Sequence, residues 1–214
     1  MVIAVLAVRD VRVSFGSTPV LNGIDLTVVD REIVALLGAS GSGKSTLLRV
    51  IAGLLMPDSG TVSIDGVDIT ALATHRRNVG LVFQDEQLFP HRTVAENIEF
   101  GLRMQRVAKP LRAARVTELL DMVGLPGFEQ RRVTDLSGGE AKRVALARTL
   151  APKPRVVLLD EPLTGLDRDL HDQLAIDLAA LLRATATTAV LVTHDREEAA
   201  IIADRTVEMT DLDR

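Results

Sequence analysis

Apolar residues recur along this chain in short blocks, and the spacing within each block predicts its secondary structure. Ile33–Leu37 is a continuous apolar run, which is typical of a buried strand in a parallel sheet. Val8–Val13 alternates between apolar and polar residues as a half-buried strand does, and Thr61–Ile69 alternates around Asp65-Gly66, which predicts a hairpin. Further strands are predicted over Val79–Phe83, Val156–Leu159, Ala189–Val192 and Thr206–Met209.

Between these strands, apolar residues return at the three- and four-residue spacing of a helix. The predicted helices are Ser45–Ala52, Thr93–Met104, Leu111–Met122, Ser137–Leu150, Asp167–Leu182 and Arg196–Ala203. Strands that alternate with helices predict a mainly parallel α/β core, with antiparallel strands before it. The helices of about residues 85–153 interrupt that alternation. We interpret them as an inserted α-helical subdomain within a single domain of residues 1–214.

Composition narrows the class of protein. A hydrophobic fraction of 47% is ample for a core, and a net charge of −4 gives no reason to expect a nucleic-acid partner. The absence of cysteine excludes disulfides and thiolate metal sites. No apolar run approaches the roughly 20 residues of a membrane span, and Met1–Val8 lacks the basic start and cleavage site of a signal peptide. We therefore expect a soluble chain whose membrane role, if it has one, comes through a partner.

A glycine-rich segment between a predicted strand and a predicted helix carries the clearest chemistry. Gly38–Ser45 fits the phosphate-binding pattern G-x-x-x-x-G-K-S, which predicts a P-loop NTPase core. Its glycines let backbone N–H groups face a phosphate, and the start of the helix adds a favourable field. Lys44 is expected to pair with the β- and γ-phosphates and the Ser45 hydroxyl to bind Mg²⁺. The alternative is a Gly/Ser-rich turn with an unrelated lysine.

Two carboxylates follow the predicted strand Val156–Leu159. Asp160 and Glu161 would lie at the carboxyl edge of the sheet, where ligands bind in α/β proteins. Asp160 is expected to hold Mg²⁺ through water. Glu161 is expected to act as the general base on the attacking water, a role worth roughly 10²–10⁴-fold. The alternative is an acidic pair at the start of a helix.

The segment Leu136–Glu140 opens a predicted helix with two features. Ser137 and Glu140 have the spacing of a capping box. Gly138 and Gly139 lie inside the first turn, where each costs up to ~1 kcal/mol relative to alanine. Capping does not need these glycines, whereas bare backbone at a helix start suits the close approach of an anion. Both interpretations can hold together.

In their order along the chain, these motifs resemble those of ATP-binding-cassette (ABC) transporter ATPases over essentially the whole length. The resemblance implies ATP and Mg²⁺ as cofactors and a head-to-tail dimer, the partner being a second ATPase subunit, in which each ATP lies between one subunit's P-loop and the other's signature motif. The implied ATP-binding residues are Phe15, Gly38, Ala39, Ser40, Gly41, Ser42, Gly43, Lys44, Ser45 and Thr46. The implied signature residues, which serve the partner's ATP, are Ser137, Gly138, Gly139 and Glu140.

The same resemblance assigns the remaining roles. It implies that the catalytic residues are Glu161, His194 and Gln84, that the metal ligands are Ser45, Gln84 and Asp160, and that Asp167 belongs to the D-loop. Phe15 is the only aromatic residue before Lys44 and so the only aromatic candidate for stacking on adenine; the alternative is core packing. His75, His91 and His171 lie outside the family positions, and we expect them at the surface. Glu140, Ala141 and Gly165 differ from the residues that are more common at these positions in the family.

Three segments resemble importers of small solutes such as sugars, polyamines, iron, molybdate and thiamine. They are Arg76–Gln84, Leu88–His91 and Thr93–Asn97. The resemblance implies a groove here for the coupling helix of a permease, with Leu88, Phe89 and Val94 as an exposed apolar patch. The alternative is ordinary core of the helical subdomain, which is equally compatible with Val94.

The implied function is ATP hydrolysis that drives a separate membrane permease, most directly for import. The implied partners are permease subunits and a solute-binding protein, and the implied location is the cytoplasmic face of the membrane. Alternatives are an ABC ATPase of an export or mechanical-force complex, or a non-transport ABC ATPase, which would need a coiled coil, a second cassette or a basic surface. Since the chain ends at Arg214, soon after the last predicted strand, we expect no regulatory C-terminal domain.

Overall fold

The computed structural model describes residues 4–212, and their order of strands and helices follows the sequence pattern closely. The ends of the predicted domain, residues 1–3 and 213–214, lie outside the described residues, and so does the start of the segment compared with a signal peptide. In chain order the elements are β1 (Ala4–Phe15), β2 (Thr18–Val29), β3 (Ile33–Leu37), α1 (Lys44–Ala52), β4 (Ser59–Ile64), β5 (Val67–Asp68), β6 (Val79–Val82), α2 (Val94–Ile98), α3 (Phe100–Met104), α4 (Lys109–Met122), α5 (Gly138–Leu150), β7 (Val156–Asp160), α6 (Arg168–Ala184), β8 (Thr188–Val192), α7 (Arg196–Ile202) and β9 (Arg205–Glu208).

The N-terminal strands form an antiparallel sheet with the order β2-β1-β4-β5. β1 alternates buried and exposed residues as predicted, and β4 and β5 pair as the predicted hairpin, with Ile64 opposite Val67. Asp65 lies in this turn with a φ of 49° and Gly66 with a φ of 78°. Both residues therefore adopt the left-handed backbone that a tight hairpin turn requires.

The second sheet is parallel and has the order β6-β7-β8-β3-β9. All five residues of β3 and all five of β8 are buried, as expected for strands covered on both faces. One face packs with α1 and the antiparallel sheet, and the other packs with α5, α6 and α7. The two apolar clusters on these faces make a three-layer core.

Helices α2 to α5 lie between β6 and β7 in the chain, which is the region predicted as helical. The predicted helix Thr93–Met104 is two helices, because the backbone breaks at Glu99. Val94, Ile98, Leu119 and Val144 from these helices are fully buried in the apolar cluster that also covers β7 and β8. None of the helices in residues 4–212 combines the length and apolar character that a membrane crossing requires.

Strand order decides which loops become neighbours. β6, β7, β8 and β3 lie side by side, so the segments that follow their carboxyl ends meet at one edge. These segments are Gln84 after β6, Asp160-Glu161 at β7, His194 after β8, and the glycine-rich loop after β3. In parallel sheets this edge is where ligands bind.

Candidate nucleotide site

The loop between β3 and α1 has a backbone shape that its glycines permit. Gly41 and Gly43 have φ values of 81° and 92°, in the left-handed region that other residues avoid. A Cβ at Gly43 would also lie 2.8 Å from Leu21 Cδ2 and 2.9 Å from the Val20 carbonyl oxygen. No side chain caps the start of α1, so its first backbone N–H groups are available to an anion.

Lys44 is a buried cation that lies under this loop. Its side-chain Nζ donates hydrogen bonds to the carbonyl oxygens of Gly38 at 2.7 Å and Ala39 at 2.9 Å. Ser42 Oγ lies 3.5 Å from the same nitrogen. The residue is only 5% exposed, so the ammonium group depends on these loop oxygens for its hydrogen bonds. A phosphate bound in the loop would offer it stronger, charged acceptors.

Ser45 and Asp160 are 115 positions apart in the chain and in direct contact in the fold. The Ser45 hydroxyl donates to Asp160 Oδ1 at 2.7 Å. Burial raises the pKa of Asp160, and the Glu161 charge adds to this, while the Ser45 hydrogen bond and the cations Arg49 and Lys44 act in the opposite direction. A carboxylate that is costly to keep charged favours a nearby cation.

The paired oxygens of Ser45 and Asp160 fit the ligand preference of Mg²⁺, which takes one or two protein oxygens and completes its shell with phosphate and water. Among residues 4–212 no cluster of three acidic or histidine side chains could hold a metal alone. Gln84 follows β6 and is exposed, and its backbone carbonyl accepts a bond from Lys142 Nζ at 3.4 Å. Its role as a ligand stays a prediction.

Glu161 is held in an unusual backbone conformation beside His194. Its φ is 46°, which costs a non-glycine residue roughly 1–3 kcal/mol, and its backbone N–H donates to the Val192 carbonyl at 2.9 Å. Its Oε2 accepts a hydrogen bond from Thr164 Oγ1 at 3.2 Å and lies 3.4 Å from His194 Nδ1. The alternative that Asp160-Glu161 caps a helix is wrong, because the next helix begins at Arg168 and Asp167 caps it.

The segment Ser137–Glu140 forms the predicted capping box at the start of α5. The Ser137 N–H donates to Glu140 Oε2 at 2.7 Å, and the Glu140 N–H donates to Ser137 Oγ at 3.3 Å. The hydrogen bond from the Ser137 backbone is the main reason why the pKa of Glu140 is lowered. This arrangement confirms the capping interpretation.

The two glycines of this segment have different surroundings. Gly138 is exposed, and a Cβ there would meet nothing within 4 Å. Gly139 is buried, and a Cβ there would lie 3.2 Å from Leu170 Cδ2 on α6. Packing within the chain therefore gives a reason for Gly139, whereas nothing in the described chain requires Gly138.

Two expectations about side-chain surroundings are wrong. Val94 is fully buried, and Leu88 is partly buried against the same core, so with Phe89 they do not form an exposed apolar patch. The ring of Phe89 instead packs at a tilt against the ring of Phe100, with the two ring centroids 4.7 Å apart. His171 is not a surface residue, because its side chain is only 15% exposed. His75 and His91 are exposed as expected.

Phe15, by contrast, is 55% exposed at the end of β1. The alternative that it packs in the core is therefore wrong, and its role as an adenine platform stays a prediction. Sequence reasoning also missed a polar group beside His194, formed by the buried Thr193 and Glu198 and the partly buried His171. Its members are ordinary polar residues in a strand end and two helices, and no local pattern marks them.

Comparison with known sequences identifies the family. Residues 21–164 match the sequence profile described as ABC transporter. The chain belongs to the ABC transporter family. It is 51% identical over 97% of its length to the Fe(3+) ions import ATP-binding protein FbpC of Streptomyces coelicolor, and 51% identical over 91% to the sulfate/thiosulfate import ATP-binding protein CysA 2 of Chromobacterium violaceum. It is 43% identical over 94% to the putrescine transport ATP-binding protein PotG of Escherichia coli.

These matches cover 60%, 53% and 53% of the respective relatives, so this ABC chain spans little more than half of their length. Among solved structures, cbiO1 from Clostridium perfringens, described as part of the ABC transporter complex cbiONQ, superposes with a TM-score of 0.85. The sequences are 29% identical, and the match covers 96% of this chain and 84% of that one. The parallel sheet with its flanking helices is thus the P-loop NTPase fold that the sequence predicted.

Proposed function

We propose that this chain is the ATP-hydrolysing subunit of an ABC importer for a small solute, of the class that includes metal ions, oxyanions and polyamines. The relatives named above are import or transport ATP-binding proteins, which supports import over export or mechanical work. The observation that carries the proposal is the contact between Ser45 and Asp160, because it joins the phosphate loop to the acidic end of β7 where a metal–nucleotide complex would bind.

In this proposal the loop's backbone N–H groups and Lys44 bind the phosphates of ATP. Lys44 Nζ leaves the carbonyl oxygens of Gly38 and Ala39 and pairs with the phosphate oxygens, which are stronger acceptors. Ser45 and Asp160 hold Mg²⁺, with Gln84 as a further ligand. The ion would supply positive charge that offsets the negative charge of the phosphates. Ser40 and Ser42 in the loop and Thr46 in the first turn of α1 add further contacts to the phosphates, and Phe15 stacks on adenine.

Glu161 orients the attacking water and accepts its proton. The Glu161 carboxylate accepts a hydrogen bond from Thr164 Oγ1 and lies 3.4 Å from His194 Nδ1. His194 in turn contacts the γ-phosphate, so that water and phosphate are positioned by neighbouring side chains. The carboxylate is the group whose loss should slow chemistry without weakening nucleotide binding.

The site is completed by a second copy of the chain. Ser137, Gly138, Gly139 and Glu140 form the start of α5, where Ser137 and Gly138 are exposed. Because the capping box occupies the N–H groups of Ser137 and Glu140, the N–H groups of Gly138 and Gly139 and the Ser137 hydroxyl would bind the γ-phosphate of ATP on the partner. Asp167, the N-cap of α6, lies in the D-loop of the same dimer interface. ATP binding closes the head-to-tail dimer, hydrolysis opens it, and the movement drives a permease at the cytoplasmic face of the membrane. A solute-binding protein delivers the solute.

The purified chain with MgATP provides the test. Glu161→Gln should lower kcat by about 10²–10⁴-fold and leave ATP affinity within a few-fold, because the change removes a general base and keeps the shape of the side chain. Lys44→Ala should instead abolish ATP binding measured by calorimetry. Equal hydrolysis by the Glu161→Gln chain, or unchanged affinity of the Lys44→Ala chain, would contradict the assignment of these two residues.

A further inference from the structure

The first turn of α7 contains a buried carboxylate that lies near the carboxyl edge of the parallel sheet. Glu198 is 4% exposed, and burial raises the pKa of its side chain. Its Oε2 accepts a hydrogen bond from Thr193 Oγ1 at 2.8 Å, whereas its Oε1 has no hydrogen-bond partner among the described residues. Burying a carboxylate oxygen without a hydrogen bond costs free energy, so the position of this side chain needs an explanation.

Thr193 links this carboxylate to the backbone on both sides of His194. Because its hydroxyl donates its hydrogen to Glu198, the oxygen's lone pairs are free to accept, and the Asp195 backbone N–H bonds to it at 3.0 Å. The Thr193 backbone N–H is held by the Leu36 carbonyl at 3.3 Å. Both neighbours of His194 are therefore fixed, and the turn that carries its ring has little freedom.

Asp195 continues the same chain of contacts into α7. Its Oδ1 accepts hydrogen bonds from the N–H groups of Glu197 at 2.7 Å and Glu198 at 3.2 Å, which makes it the N-cap of the helix. The capped helix start then holds the Glu198 side chain against Thr193. Hydrogen bonds among Thr193, Asp195 and Glu198 thus join the residues on both sides of His194, whose own side chain is 64% exposed.

His171 connects this group to α6. Its Nε2 lies 3.6 Å from Glu198 Oε2 and its Nδ1 lies 3.2 Å from Asp172 Oδ1. His171 is in the first turn and a half of α6, whose N-cap is Asp167 of the D-loop. Arg168, at the start of the same helix, pairs with Asp172 and Glu197 at the surface. The start of α6 and the turn at His194 are thereby held to one another.

We propose that Thr193 and Glu198 are positioning residues that set the place of the His194 ring relative to Glu161, and that His171 ties this unit to the start of α6. The inference rests on the proposed ATPase function, since it assigns support to a residue of that site. Neither Thr193 nor Glu198 is among the residues assigned to nucleotide or metal, so in this inference both act through His194.

The first test compares two substitutions at Thr193. Thr193→Val keeps the shape but loses both hydrogen bonds, and it should lower kcat by between about 10- and 10²-fold, the range expected from a displacement of up to about 1 Å. The KM for ATP should change less than about threefold, because the phosphate loop is untouched. Thr193→Ser keeps the hydroxyl, so its kcat should be close to that of the unsubstituted chain. Equal kcat in both variants would overturn the inference.

A double-mutant cycle separates positioning from general damage to the fold. In a chain that already carries His194→Ala, adding Thr193→Val should have no further effect on kcat, because the residue acts only through the missing ring. An additive loss would overturn the inference. Each rate is divided by the fraction of folded chain, which circular dichroism measures. If Thr193→Val does not fold, His171→Gln replaces it in the same cycle and should show a smaller kcat loss that is again absent without His194.

The outcomes also separate this inference from the proposed function. If the unchanged chain does not hydrolyse ATP, or if His194→Ala has full activity, the proposed function or the role of His194 fails first. If hydrolysis depends on His194 while Thr193→Val is fully active, only the positioning role fails.

Discussion

Two helices of this chain begin with the same capping motif but have different residues inside it. At the start of α2, the Thr93 N–H donates to Glu96 Oε2 at 2.9 Å and the Glu96 N–H donates to Thr93 Oγ1 at 3.2 Å. At the start of α5, Ser137 and Glu140 make the same reciprocal pair at 2.7 and 3.3 Å. The hydrogen bonds that begin the two helices are therefore equivalent.

The difference lies between the capping residues. α2 has Val94 and Ala95 there, and Val94 is fully buried in the core. α5 has Gly138 and Gly139, of which Gly138 is exposed with open space around it. Since α2 shows that the box works without glycine, capping does not explain Gly138. In the proposed function, the bare backbone of Gly138 lets a phosphate approach from outside the chain.

The largest expected effect is on hydrolysis and separates the two boxes by function. Ser137→Arg puts a long side chain where the partner's γ-phosphate would bind, and it should lower ATPase activity by at least about 10²-fold, the loss typical when phosphate-stabilising donors are removed. Thr93→Arg breaks the matching box in α2 and is the control. Phosphate release per folded chain should fall only in the first variant, and parallel losses in both would erase the functional difference.

The second effect is on stability, and here the substitution in α2 should be the damaging one. Val94→Ala removes buried methyl groups and should lower the free energy of unfolding by about 2 kcal/mol. Gly138→Ala should raise it by up to about 1 kcal/mol, because helix propensity improves and the new Cβ meets nothing within 4 Å. Urea unfolding followed by circular dichroism measures both. A destabilised Gly138→Ala chain would show that this glycine has a structural role after all.

The smallest effect concerns the charge of Glu140. Hydrogen bonds from Ser137 lower its pKa in the folded chain, so its contribution to stability is present above the ordinary glutamate pKa and is lost as the pH falls through the lowered one. Glu140→Gln keeps a capping oxygen and removes the charge. It should destabilise the chain by about 0.5 kcal/mol at pH 7, and the difference should shrink as the pH falls below about 4. A difference independent of pH would mean that the charge contributes nothing.

The sequence was sufficient for features that local pattern controls. The apolar run Ile33–Leu37 could only be a covered strand, and the glycines of the following loop required its backbone shape. The capping box at Ser137 is likewise a matter of spacing within four residues. These features depend on propensities and periodicities that act along the chain.

Features that depend on long-range packing could not be predicted from residue spacing. The break at Glu99 falls two residues before Gly101 and not at a glycine or proline, and the burial of Val94 depends on which face of α2 meets the core. Glu198 looks like a solvated acidic residue in a first helical turn, but α6 covers it. The contact between Ser45 and Asp160 follows from the positions of β3 and β7 in the sheet. Residue spacing does not determine these positions, and only the resemblance to the family suggested them.

The central claim is that Ser137–Glu140 acts on ATP bound to another copy of the chain. The direct measurement mixes a Ser137→Arg chain with an Asp160→Asn chain and records ATP hydrolysis. Each chain alone should be inactive. In a mixed dimer one site combines an intact P-loop and Asp160 from one chain with an intact signature from the other, so activity should reappear on mixing. No activity on mixing, or full activity of the Ser137→Arg chain by itself, would contradict the shared site.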